Sequence, residues 1–183
     1  MRIISGTYRG RNIVPPHNFT ARPTTDFAKE ALFNVIAGNF DFATLDVLDI
    51  FAGTGSISYE FASRGCSHID AVDMNRRHCE FIAKTSQLLG SQQIHCYCRD
   101  GFSYLKQCSK LYDIIFADPP YALTNIEHIP DIVFEKPLLK SGGWLILEHG
   151  KQKDFASHPH FLQHRQYGSV NFSIFGSVVK LPD

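Results

Sequence analysis

Apolar residues at Ala28, Leu32, Val35 and Ile36 recur at i, i+4, i+7 and i+8, the rhythm of one helical face, and Pro23-Thr24-Thr25-Asp26 just before them supplies helix-start chemistry. The spacing predicts a helix over 25–37, with Gly38 as its stop. Ahead of it, Ile3-Ile4 and Ile13-Val14 flank a segment containing Gly6 and Arg9-Gly10-Arg11, which predicts a short extended pair ended by Pro15-Pro16. From Leu45 the pattern changes. Short apolar runs over 47–51, 69–72, 94–98, 112–117 and 143–148 read as strands. They alternate with helical stretches over 56–64, 75–89, 101–108 and 125–139, the last open to a break at Pro130 or Pro137. Such alternation implies an α/β, doubly wound and mostly parallel sheet with right-handed crossovers. Residues 160–167 and 171–175, around Gly168-Ser169-Val170, read as a terminal antiparallel hairpin, which makes seven strands.

Composition narrows the setting. The 183 residues are 44% hydrophobic and 13% aromatic, enough to bury a core, so we expect a single domain over 1–183, an N-terminal extension at 1–40 and a core at 45–183. No apolar run approaches the length of a bilayer span, and Met1-Arg2-Ile3-Ile4-Ser5-Gly6 is not an extended apolar signal. With five scattered cysteines, an odd number, this predicts a cytoplasmic protein with reduced thiols and no membrane partner. Basic and acidic residues balance at 18 each, which excludes a global field for nucleic acid. A local one survives, because residues 1–40 carry Arg2, Arg9, Arg11, Arg22 and Lys29 against Asp26 and Glu30.

The candidate chemistry sits at the ends of the strands. Asp49-Ile50-Phe51-Ala52-Gly53-Thr54-Gly55 is a glycine turn between the first strand and its helix, where backbone can approach a ligand and a helix offers free N–H groups. Asp73, eighteen residues past Gly55, has the spacing of an acid that binds ribose hydroxyls. Together they indicate an adenosine-containing cofactor without fixing which. Ser58 stands where a dinucleotide fingerprint wants a third glycine, which counts against a nicotinamide oxidoreductase. Asp100-Gly101-Phe102 follows the third strand and Asp118-Pro119-Pro120-Tyr121 the fourth. Two prolines force the chain out of the sheet there, equally a plain strand exit or a way to hold Asp118 outward. His95-Cys96-Tyr97-Cys98 has no second pair at zinc spacing, so no metal is predicted. Glu148-His149 ends the fifth strand and could line the site, although a structural role fits it better.

An acid after each of four strands resembles the class I S-adenosylmethionine-dependent methyltransferases, with their Rossmann-like fold, and the Asp-Pro-Pro-Tyr run resembles those that methylate exocyclic amino groups of bases. The segments Met1 to Gly6, Tyr8-Arg9-Gly10-Arg11, Arg22-Pro23-Thr24-Thr25-Asp26 and Glu30-Ala31-Leu32-Phe33-Asn34 resemble the RsmD family, which methylates guanine N2 in 16S ribosomal RNA. The resemblance implies roles. Asp49 with Ala52, Gly53, Thr54 and Gly55 would hold the methionine end of S-adenosylmethionine, Asp73 its ribose, and Asp100 with Gly101 its adenine between Met74 and Phe102. Asp118, with Pro119 and Pro120 stiffening the loop, would accept hydrogen bonds from the guanine amino group, and Tyr121 would stack on the flipped base. Arg9, Arg11 and Arg22 would contact RNA phosphates, within a small ribosomal subunit or assembly intermediate rather than on naked RNA. The competing readings are a DNA adenine-N6 methyltransferase, for which no residues remain to build a target-recognition domain, and a non-catalytic cofactor-binding assembly factor.

Overall fold

The computed structural model describes residues 1–17, 19, 25–120 and 122–176. The predicted first helix is α1 (Asp26–Ala37), started by Thr25, whose hydroxyl accepts from Ala28 N (3.2 Å). A 3-10 turn (Phe42–Thr44) leads into β1 (Asp46–Ile50), α2 (Ser56–Ser63) and β2 (His68–Asp73). Then come α3 (Arg76–Leu89), β3 (Ile94–Cys98), α4 (Gly101–Gln107) and β4 (Tyr112–Ala117). The chain continues through α5 (His128–Glu135) and β5 (Leu139–His149) to the pair β6 (Phe161–Tyr167) and β7 (Val170–Gly176). One sheet holds all seven strands in the order β3-β2-β1-β4-β5-β7-β6. The first five run parallel, and β7 pairs antiparallel with both β5 and β6. The strand order reverses between β1 and β4, the place where open α/β sheets bind ligands.

Three sequence expectations shift. The last predicted helix shrinks to α5, because Pro130 is accommodated only in a first turn, where its missing N–H is not needed, and Pro137 stays beyond the end. Strand β5 starts four residues earlier than read; Lys140-Ser141-Gly142-Gly143 looks like a turn but is a bulge, with Leu139 paired to Tyr112 and Trp144 to Ile114. The N-terminal extended pair is not a regular β-hairpin, since its one bridge joins Arg2 to Asn12.

Because side chains alternate along each strand, the sheet has two apolar faces. Val47, Ile114, Phe116 and Ile146 pack with Leu32, Phe33 and Phe61 of α1 and α2. Leu48, Ile50, Ile115 and Leu147 pack with Leu105, Ile129 and Val133 of α4 and α5. A third cluster lays Ile3 and Ile13 against Tyr59 and Ile82, seating the N-terminal segment on α2 and α3. That seat is also ionic. Glu60 accepts from Ile4 N (2.9 Å), Ser5 N (3.1 Å) and Arg64 Nε (3.0 Å). Lys29 Nζ lies 3.6 Å from Glu60 Oε2 and donates to Arg2 O (2.7 Å) and Ser56 Oγ (3.2 Å). Lys29 therefore leaves the N-terminal basic surface: it is 1% exposed, and burial lowers its pKa. No helix among the described residues is long and apolar enough to cross a membrane.

Candidate active site

The carboxyl ends of β1, β2, β3 and β4 open on a cleft of about 570 Å³. It is bordered by Asp49 of β1 with Ala52, Gly53 and Thr54 after it, by Asp73 at the end of β2 with Met74, by Asp100, Gly101 and Phe102 after β3, and by Asp118, Pro119 and Pro120 after β4. Residues far apart in the chain thus meet in one concavity. Gly55 stands behind the wall as the N-cap of α2, at φ 79°, and a Cβ there would meet the Tyr59 ring at 2.8 Å and Ile82 at 2.9 Å. Only glycine fits both demands. Gly101 is glycine for a different reason: a Cβ would lie 2.7 Å from the Phe51 ring, which turns across it towards Phe102 (centroids 6.1 Å). Phe51 itself holds a left-handed φ of 63°, a strained position for an aromatic residue at the start of the glycine turn.

The acids differ in how the chain engages them. Asp73 accepts from Gly53 N and Asn75 N at 2.8 Å each and from His78 Nδ1 at 3.1 Å, so the glycine turn is tied to the end of β2. Both acceptor directions of Oδ1 are taken; a ligand offering two hydroxyls would need His78 to turn aside. Asp100 is exposed, borders the cleft and caps α4 through Ser103 N (2.9 Å), which engages one of its two oxygens. Asp49 is 2% exposed and accepts from Ser58 N (3.1 Å) and Ser58 Oγ (2.5 Å). Burial pushes its pKa up to about 7; the Ser58 hydrogen bonds oppose this, and Asp73 adds to it. Asp118 is half-buried and borders the cleft. Burial, with Glu148 and Asp49 as like charges nearby, holds its carboxyl well above the usual carboxylate range. Among the described residues no lysine or arginine forms an ion pair with Asp49 or Asp118.

Two residues of this site escaped the sequence reading. His78 borders the cleft and carries the ring of Phe19 at 4.8 Å; its signal was its place three residues after the N-cap Asn75, on the first turn of α3. Ser58 was noticed only as a missing glycine, yet it is the hydrogen-bond partner of Asp49. Arg9 and Arg11 are exposed but do not border the cleft, because the N-terminal loop runs along α2 as far as Ser63, to which Tyr8 N donates (2.9 Å). Tyr121 lies outside the described residues, as do Arg22, Pro23 and Thr24.

Residues 1–176 match the family model described as Conserved hypothetical protein 95. The chain belongs to the RsmD family. Within that family, it is 32% identical over 145 residues to ribosomal RNA small subunit methyltransferase D of Escherichia coli K12, covering 79% of this chain and 69% of that one. Its fold superimposes on the hypothetical protein TTHA0928 of Thermus thermophilus, with a TM-score of 0.84, 23% identity and coverage of 96% and 99%. SMU.776, solved as a complex with SAH, shares the fold at a TM-score of 0.60 and 18% identity, over 81% of this chain and 49% of that one. The seven-stranded sheet of this RsmD-family chain is thus a fold it shares with its structural neighbours.

Proposed function

We propose that this chain transfers the methyl group of S-adenosylmethionine to the exocyclic N2 amino group of a guanine in 16S ribosomal RNA. The observation that carries the reading is Asp118: a half-buried carboxyl at the end of a central strand, on a stiff Pro-Pro exit, bordering a cleft with the buried acid Asp49 and no cation among the described residues paired to either. Such a cleft fits a cationic ligand, since the positive charge lowers the cost of ionising both acids. The names of its relatives support RNA as the acceptor, and SMU.776, with its SAH, supports the cofactor class.

The residues then have physical tasks. Asp49 and the loop from Ala52 to Thr54 hold the amino-acid end of the cofactor, Asp73 the ribose, and Asp100 the adenine amino group, with Met74 and Phe102 on the ring. When bound, the cofactor supplies a methyl group on a positively charged sulfur. Asp118 accepts hydrogen bonds from the guanine amino group and so turns its nitrogen lone pair, otherwise delocalised into the ring, towards the methyl carbon. Tyr121 stacks on the extruded base, returning roughly 1–3 kcal/mol of the few spent on unstacking. Arg9, Arg11 and Arg22 hold phosphates outside the cleft, positioning the strand without reading it. With zero net charge, the acceptor is an assembled small subunit or an intermediate of one, whose surface presents the base ready-shaped.

Labelled-methyl transfer to purified 16S RNA, to unmodified small subunits and to duplex DNA tests this, followed by digestion to nucleosides. We expect label in N2-methylguanosine, with subunits the best acceptor. Label in N6-methyladenosine of DNA would refute the base assignment, and equal rates on naked RNA would refute the preference for a subunit. The substitution Tyr121→Phe keeps the stacking face and should change the rate less than about twofold, whereas Tyr121→Ala should cost about 10- to 100-fold in RNA binding.

A further inference from the structure

The amino-acid end of the proposed cofactor carries an ammonium and a carboxylate, and Asp49 suits only the first. Two hydroxyls of the chain, Thr54 and Ser56, border the cleft near it. They are bonded in opposite senses. Thr54 Oγ1 donates to Met1 Sδ (3.4 Å), so its hydrogen is committed to the N-terminal segment. Ser56, the first residue of α2 and 7% exposed, instead accepts at Oγ from Lys29 Nζ (3.2 Å). An ammonium has hydrogens to give and no lone pair, so a hydroxyl bonded to it keeps its own hydrogen for another acceptor. Burial lowers the pKa of Lys29, while Glu60, 3.6 Å away, and Asp26 favour its charge. Lys29 also donates to Arg2 O (2.7 Å), which fixes the ammonium behind Ser56. In the same turn of α2, Ser58 donates to Asp49 through N and Oγ, so the neighbours of both charges sit side by side.

We propose that Lys29 is a positioning residue for the cofactor's carboxylate: it holds Ser56 Oγ as an acceptor, and the Ser56 hydroxyl gives its hydrogen to that carboxylate in the cleft. The inference rests on the cofactor reading above and deepens it. Ser56 touches the ligand, and Lys29, which does not border the cleft, acts through it. Hydrogen bonds in series polarise one another, so a hydroxyl that accepts from a cation is a better donor, and its bond to an anion is of the strong, charge-assisted kind. The charge of Lys29 is answered within the fold by Glu60; what reaches the cleft is the hydroxyl that it orients. The same lysine holds the N-terminal segment at Arg2 O, and its partner Glu60 holds Ile4 N and Ser5 N. The extension that carries Arg9 and Arg11 and the seat of the methyl donor thus share one buried cation.

Two ligands separate this role from a structural one. S-adenosylhomocysteine and 5′-methylthioadenosine share the adenosine and the thioether, and only the first has the amino-acid end. In calorimetric titration, Ser56→Ala should weaken S-adenosylhomocysteine about 10-fold or more and 5′-methylthioadenosine less than about twofold. Ser56→Thr keeps the hydroxyl and should restore most of the loss. Lys29→Met should show the same selectivity for the ligand with the carboxylate, and the double variant should bind no more weakly than the weaker single one, because the two residues act in series. If Lys29→Met does not fold, Lys29→Met with Glu60→Gln, which also removes the stranded carboxylate, takes its place. Equal losses for both ligands, no loss from Ser56→Ala, or full additivity of the two variants each overturns the inference. A wild-type chain that binds neither ligand overturns the cofactor reading with it, whereas wild-type binding that Ser56→Ala leaves unchanged overturns the inference alone.

Discussion

Two groups of buried or half-buried carboxylates in this fold are treated in opposite ways. Glu60, on α2 under the N-terminal segment, is 0% exposed and surrounded by two backbone N–H donors, the Arg64 guanidinium and the Lys29 ammonium. Asp49 and Asp118, at the carboxyl edge, have like charges nearby instead, Asp73 for Asp49 and Glu148 with Asp49 for Asp118, and burial drives both upward in pKa against the Ser58 hydrogen bonds to Asp49. The first arrangement is complete within the chain and pins an extension to the core. The second is costly among the described residues, and a positive charge brought to it would relieve that cost. The difference separates a structural charge from a functional one: a protein neutralises the charges it builds with, and leaves open those it uses to bind.

The contrast can be broken in several places. The largest effect is expected from Glu60→Ala, which strands the Lys29 ammonium and two backbone donors; breaking a buried pair costs about 3–5 kcal/mol. Denaturant unfolding measures it, and a loss below about 1 kcal/mol would mean that the pair is not what holds the extension. Next, Asp118→Ala should lower kcat about 10²- to 10³-fold while leaving cofactor affinity within about threefold, read by methyl incorporation beside calorimetry. An active variant would sink the mechanism. Asp49→Asn should act in the opposite direction on stability. Because the folded pKa of Asp49, about 7, lies above the ordinary aspartate value, wild-type stability falls as pH rises from about 4 to 7. The variant escapes that loss, so it should be more stable by about 4 kcal/mol at pH 8 and equal to wild type near pH 4, in thermal melts at both, while binding the cofactor more weakly. The smallest effects belong to Arg9→Ala and Arg11→Ala, each expected to flatten the salt dependence of RNA binding by about one in log–log slope with kcat unchanged.

Much of the architecture was legible in the chain, because strands buried on both faces are continuous apolar runs bounded by turn residues. Strands β3 and β4 and helix α1 fall within a residue of the expected bounds. The misreadings have local causes: Pro130 cannot announce from sequence that it sits in a first turn, and a Gly-Gly bulge inside β5 looks like a loop. In the site, an acid after each strand was visible because strand ends are visible and the sheet gathers them at one edge.

What the sequence determined by itself is thus the set of groups and their order: a glycine turn, acids at four strand ends and a Pro-Pro exit, since these follow from backbone chemistry that acts over a few residues. What only the tertiary structure decided is which charges are already answered. Lys29 reads as part of a basic surface and is buried against Glu60, thirty-one positions away; Ser58 reads as a missing glycine and holds Asp49; Glu148 reads as the end of a strand and is a like charge near Asp118. Partners of that kind are set by how strands align and helices pack, and electrostatic energy depends on the distance and burial that packing creates, not on separation along the chain.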